Sequence, residues 1–145
     1  FATNRSGSLP LYPLIEACFS GKYQKKDLLK IVMATGGFFA HTGLTDFRLI
    51  EQKAAEGDEK CDLLIRAFIY QVCRYIGAQY TVLNCNCDGI ILTGGIAYSK
   101  HVVEGIRRCV GKLAPVLVYP GEEESTAMVT GALRILRGEE ALVEL

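Results

Sequence analysis

The chain has 145 residues, half of them hydrophobic and 22% charged, which suits one domain with a real core and excludes intrinsic disorder. Its 16 basic residues balance its 16 acidic ones, so no net field recruits nucleic acid or an anionic membrane surface. No apolar run approaches the roughly 20 residues of a membrane-spanning helix, and no stretch reads as a secretory signal.

Residues Phe1 to Pro10 are loop by composition, rich in Asn, Ser, Gly and Pro. Leu11 to Phe19 carries Leu11, Leu14, Ile15 and Cys18 on one helical face, and Ser20-Gly21 ends it. A second helix is predicted over Lys25 to Met33, with Leu28, Leu29 and Val32 facing inward. Gly36-Gly37 follows, and Phe38 to Thr42 reads as a short strand. Thr45 is the expected cap of a helix running to Glu56, with Asp46 favourably placed in its first turn. Gly57 stops that helix and Asp58 caps the next.

From Glu59 to about Leu83 one long helix is predicted, since Cys61, Leu64, Phe68, Val72, Ile76, Tyr80 and Leu83 recur every three or four positions. Ile65, Ile69 and Tyr75 widen that face, so the helix is expected to lie embedded between other elements. Gly77 in its middle costs about 1 kcal/mol relative to alanine, a cost usually tolerated for close packing. The Cys85-x-Cys87 pair has no companion Cys/His cluster and is not expected to bind metal. Cys61, Cys73 and Cys109 lie within helical apolar patterns, and no disulfide or zinc spacing links the six cysteines; a reduced, cytoplasmic setting is expected.

Ile90 to Leu92 is a short apolar run that reads as a strand buried on both faces. Gly94 and Gly95 break it, and a helix is predicted from Ala97 to Val110. Strand, glycine pair, helix lets backbone approach a ligand closely and aims helix N–H groups at it, at the carboxyl end of a strand where nucleotides sit in open α/β sheets. A tight turn without a ligand accounts for this stretch alone equally well. Val116 to Tyr119 is a second strand, expected beside the first and parallel to it. Pro120-Gly121 ends it. Glu122-Glu123-Glu124 opens a helix running to about Leu136, with Gly138 as its stop, and a last short helix is expected from Glu139 to Leu145. The pattern is α/β, with helices around the sheet.

Local chemistry is sparse. His41 and His101 have no nucleophile at triad spacing, and neither a G-x-x-x-x-G-K-[ST] nor a G-x-G-x-x-G loop is present. Asp46, Phe47 and Arg48 could hold a base or ribose, or form an ordinary solvated charge pair. Arg5 is a lone cation in a Gly/Ser loop.

Four stretches together carry a resemblance: Arg5-Ser6-Gly7-Ser8-Leu9-Pro10; Gly36-Gly37 through Gly43-Leu44-Thr45-Asp46-Phe47-Arg48; Asp88 through Lys100; and Val118-Tyr119-Pro120-Gly121-Glu122-Glu123-Glu124 with Gly131-Ala132-Leu133. In order and spacing, the chain resembles the carboxyl-terminal half of the short-chain fatty acid kinases, nearer the butyrate kinase branch than the acetate kinase branch. Tyr98-Ser99-Lys100 and Tyr119-Pro120-Gly121-Glu122 carry that preference. The resemblance implies membership of the acetate and sugar kinase/actin superfamily: an α/β, RNase H-like (actin-like ATPase) lobe, a mixed sheet flanked by helices, with ATP bound in a cleft between two lobes.

It further implies that Arg5 is catalytic, contacting the transferring phosphoryl group. Gly94, Gly95 and Ile96 would form the adenosine turn, and Asp46, Phe47 and Arg48 would line the nucleotide site. Glu123 or Glu124 would act with magnesium (Mg2+). ATP/ADP and a short-chain carboxylate are the implied partners, a homo-oligomer the implied assembly, and fermentation of fatty acids the implied setting. Residues 1–145 would be a single carboxyl-terminal lobe, part of a longer protein and inactive without its amino-terminal lobe. A non-catalytic actin-like nucleotide-binding or assembly module is the alternative.

Overall fold

The computed structural model describes residues 1–121 and 124–141; the side chains of Glu124 and Ser125 are outside that description. In chain order the elements are α1 (Leu11–Phe19), α2 (Lys25–Met33), α3 (Gly37–Thr42), α4 (Phe47–Ala55), α5 (Glu59–Val82), β1 (Ile90–Gly94), a 3-10 turn (Gly95–Tyr98), α6 (Lys100–Val110), β2 (Val116–Pro120) and α7 (Glu124–Leu136).

Strands β1 and β2 pair in parallel with Ile90 opposite Val116 and Gly94 opposite Pro120, as the βαβ reading expects. The backbone then folds back, so that Gly121 exchanges two hydrogen bonds with Gly94, at 3.1 and 3.2 Å. The inner face of this sheet, Ile90, Leu92 and Val116, packs on the core. The outer face is open: Ile91 is 63% exposed and Leu117 and Tyr119 are exposed beside it. That corrects the expectation of a strand buried on both faces. An all-apolar run cannot by itself show which of its two faces has a neighbour.

The core is an aromatic nest wrapped by helices. Phe38 and Ile50 are fully buried, with Ile65, Cys61 and Val102 around them. Phe38 meets Phe1 edge-on at 5.1 Å and Phe47 at 5.4 Å, while Phe68 packs against all three. Phe38 therefore sits in a helix, α3, and not in the strand expected over Phe38–Thr42. Two adjacent aromatics suit a strand by propensity, but here tertiary packing decides. Gly37 and the left-handed Gly43 bound this single helical unit.

Helix α5 starts where expected, Asp58 accepting from the Cys61 N–H at 3.0 Å, but it is covered on one face only; Leu63, Tyr70 and Tyr75 are exposed. Gly77 has no neighbour within 4 Å of where a Cβ would stand, so close packing is not its reason. Helices α1 and α2 bury no residue fully. Ser99, and not a residue before Ala97, caps α6, because residues 95–98 form the 3-10 turn first. Residues 139 and 140 form a bend, so no helix begins at Glu139; residues 142–145 of that expected helix lie outside the described residues.

Candidate functional site

A cavity of about 720 Å³ opens at the carboxyl end of β1. Four segments far apart in sequence wall it: Ala2 and Thr3, the start of α4, Phe68 of α5, and the glycine turn with Ser99. All six residues read from the sequence as nucleotide-binding (Asp46, Phe47, Arg48, Gly94, Gly95 and Ile96) line it. Its size falls within the range of small-molecule pockets.

Gly94 has φ +86°, a backbone conformation that L side chains rarely adopt, so this corner requires glycine. The next residues tighten into the 3-10 turn. The helix expected directly after the glycine pair is therefore this turn first, and α6 begins only at Lys100. Ser99 Oγ accepts from the Val102 N–H at 3.1 Å and caps α6 itself. It also donates to Glu51 Oε1 at 2.5 Å, and Ser99 is buried.

On the opposite wall Asp46, not Thr45, caps α4. Its Oδ1 accepts from the Arg48 backbone N–H and from Nε, both at 3.0 Å, and its Oδ2 from the guanidinium NH2 at 2.6 Å. These bonds to Arg48, aided by its charge, hold the Asp46 carboxyl below its ordinary range, and Asp46 raises Arg48 in return. The Arg48 side chain is 90% exposed, so its guanidinium face stays open while its edge is engaged. Phe47 turns its ring into the aromatic nest and forms the floor.

The charge of this lining decides what it suits. Among the described residues Arg48 is its one cation and is neutralised by Asp46, and Glu51 adds an anion. Such a wall favours an uncharged hydrogen-bonding group with an aromatic face over a phosphate chain.

Arg5 does not line the cavity, and its side chain is exposed. Its segment is nevertheless fastened. The Phe38 and Phe39 N–H groups donate to the carbonyls of Ala2 and Thr3 at 3.1 and 2.8 Å, and the Ser6 N–H donates to Val32 O at 2.9 Å. Gly37, at φ +57°, permits this approach, since a Cβ there would overlap the Ala2 carbonyl. Glu123 lies outside the described residues, as does the Glu124 side chain. Among the described residues no group of three or more His, Cys, Asp or Glu could hold a metal ion.

The residues missed from the sequence include Ala2, Thr3, Phe68, Glu51 and Ser99. Ser99 carried a signal, a hydroxyl three residues before an apolar helical position. Glu51 carried none, because its partner stands 48 residues away.

A family model described as the acetokinase family matches residues 5–141. Butyrate kinase 1 of Clostridium acetobutylicum is 45% identical over 144 residues, 99% of this chain and 41% of that protein. Probable butyrate kinase 2 of Caldanaerobacter subterraneus subsp. tengcongensis is 43% identical over 140 residues, 97% of this chain and 40% of that protein. Among solved structures, Porphyromonas gingivalis acetate kinase superposes with a TM-score of 0.80 at 19% identity, covering 92% of this chain and 40% of that one. Acetate kinase from Entamoeba histolytica does so with a TM-score of 0.76 at 17% identity, over 91% of this chain and 41% of that one. The chain thus spans about two fifths of the length of the curated relatives it matches.

Proposed function

The chain belongs to the acetokinase family, and from that premise we propose that it is the carboxyl-terminal lobe of a butyrate kinase-type enzyme, supplying the adenosine wall of an ATP site. The whole protein transfers the ATP γ-phosphoryl group reversibly to a short aliphatic carboxylate. A carboxylate oxygen attacks phosphorus, the bond to the ADP oxygen breaks, and an acyl phosphate and ADP leave. The relatives at 43–45% identity carry the butyrate kinase name and favour that branch.

One observation carries the nucleotide reading. Asp46, Phe47 and Arg48 converge with Gly94, Gly95 and Ile96 on one cavity across 45 residues or more of chain, off the carboxyl end of a parallel strand. The lining supports the nucleoside end of ATP in particular, because among the described residues it offers no free cation. The phosphates then extend beyond this wall, where Arg5 stabilises the transferring group with its planar fork. Residues 1–145 alone bind nucleotide weakly and do not turn over, since one wall of a cleft leaves the phosphates in water.

Glu123 or Glu124 would hold the magnesium that accompanies ATP. The cytoplasm is the proposed location, in keeping with the free cysteines among the described residues. A homo-oligomer is the proposed assembly. No described helix is long and apolar enough to cross a membrane. Nothing in the cavity or among the relatives favours the assembly-module alternative, since the matched relatives are kinases by name.

The test is Gly95→Val in the full-length protein. It should raise the KM for ATP much more than that for the acid. Equal effects on both, or none, would overturn the site.

A further inference from the structure

The two polar walls of the cavity belong to elements that touch little. Helix α4 packs on α5, while the glycine turn packs on β2 and α6. Among the described residues, one side-chain hydrogen bond joins α4 to the turn: Ser99 Oγ to Glu51 Oε1, at 2.5 Å. Its setting gives it leverage. Ser99 is 7% exposed, its proton goes to Glu51, and its oxygen accepts from the Val102 N–H, so the hydroxyl has no freedom to turn away. A hydroxyl bonded to a carboxylate is short and about twice as strong as a neutral pair. Glu51 stands on the same helix that Asp46 caps and lines the same cavity.

The geometry points to Glu51 as a positioning residue. Through Ser99 it sets the distance between the Asp46–Arg48 end of α4 and the Gly94–Gly95 turn, and hence the fit of the nucleoside between them. This rests on the nucleotide reading above. The bond gates neither the phosphates nor the acid, so its loss acts on nucleotide affinity and leaves the acid alone.

The experiment uses the full-length protein, with ADP binding by calorimetry and steady-state rates with ATP and acid. Glu51→Ala should weaken ADP binding and raise the ATP KM about tenfold, with the acid KM unchanged and kcat altered far less. Glu51→Gln keeps an accepting oxygen and should recover most of the affinity. A second pair of variants separates this role from helix capping. Ser99→Thr and Ser99→Asp both cap α6, but only threonine can donate to Glu51. Near-normal ADP affinity for Ser99→Thr, with a loss for Ser99→Asp, supports the positioning role. Equal affinities for the two overturn it. Normal ADP affinity in folded Glu51→Ala also overturns it, while leaving the nucleotide site intact if Gly95→Val weakens binding. If Gly95→Val has no effect either, both fall.

Discussion

A Cβ placed on Gly105 of α6 would stand 2.7 Å from Cδ1 and 3.2 Å from Cγ2 of Ile69 on α5. The two helices cross where one has no side chain, and the β-branched Ile69 fills the space. Gly105→Val should therefore destabilise the chain by about 1–3 kcal/mol through overpacking. Gly77→Ala, with open space around it, should stabilise by about 0.5–1 kcal/mol through helix propensity. Denaturant midpoints of the two variants should move in opposite directions; movement in the same direction would refute the contrast.

Gly37→Ala is expected to unfasten the amino-terminal segment. A Cβ at φ +57° collides with the Ala2 carbonyl, and Ala2 and Thr3 form part of the cavity wall. ADP affinity of the full-length protein should fall, and proteolytic cutting near Arg5 should speed up. Unchanged cutting would show that the backbone accommodates the methyl.

These two glycines mark how far the sequence could be read. The helical periodicities of α1, α2, α5 and α7 were legible, because each is a repeat within one stretch of chain, and the parallel pairing of β1 with β2 followed from the single helix between them. Gly77 and Gly105 look alike in sequence, since both interrupt a helix, yet only a partner helix gives one of them a reason. The same limit explains Phe38, whose helix is chosen by Phe1, Phe47 and Phe68 around it. In the site, Gly94 announced itself through backbone chemistry, whereas the cap of α4 fell to Asp46 and not to the expected Thr45, and the Glu51–Ser99 bond spans segments with no shared pattern.

Cys73 gives a pH prediction. Burial first, and then the neighbouring Cys109 thiol, push its pKa from an ordinary 9.0 up to about 12. Its folded form therefore holds the proton longer than its unfolded form. The stabilisation this implies is complete below about pH 9 and is lost as pH rises toward about 12. Stability should fall across that window, and Cys73→Ala should flatten the fall. In alkylation at pH 8 followed by mass spectrometry, the exposed Cys18, Cys85 and Cys109 should react before the buried Cys61 and Cys73. Early labelling of Cys73 would contradict its burial.

Arg5→Ala in the full-length protein should lower kcat by roughly 10³ to 10⁵ with a modest change in the ATP KM, the range for an arginine acting on a transferring phosphoryl group. Arg5→Lys should restore little, because an ammonium cannot bridge two oxygens as a guanidinium does. Near-normal kcat for the alanine variant would remove Arg5 from the mechanism.

The aromatic nest also bears on the order in which the chain folds. Phe1 meets Phe68, whereas Ile90 pairs with Val116 across a much shorter span. The extra loop-closure entropy is only about 1 kcal/mol, but the amino-terminal contacts also need α3 and α5 in place before they hold anything together. Docking of residues 1–6 is thus expected last, after the βαβ unit has formed. Because Ala2 and Thr3 complete the cavity, the molecule would regain its helices before its ability to bind ligand. In a refolding experiment, recovery of ADP binding should lag recovery of the far-ultraviolet helical signal, and Gly37→Ala should lengthen that lag.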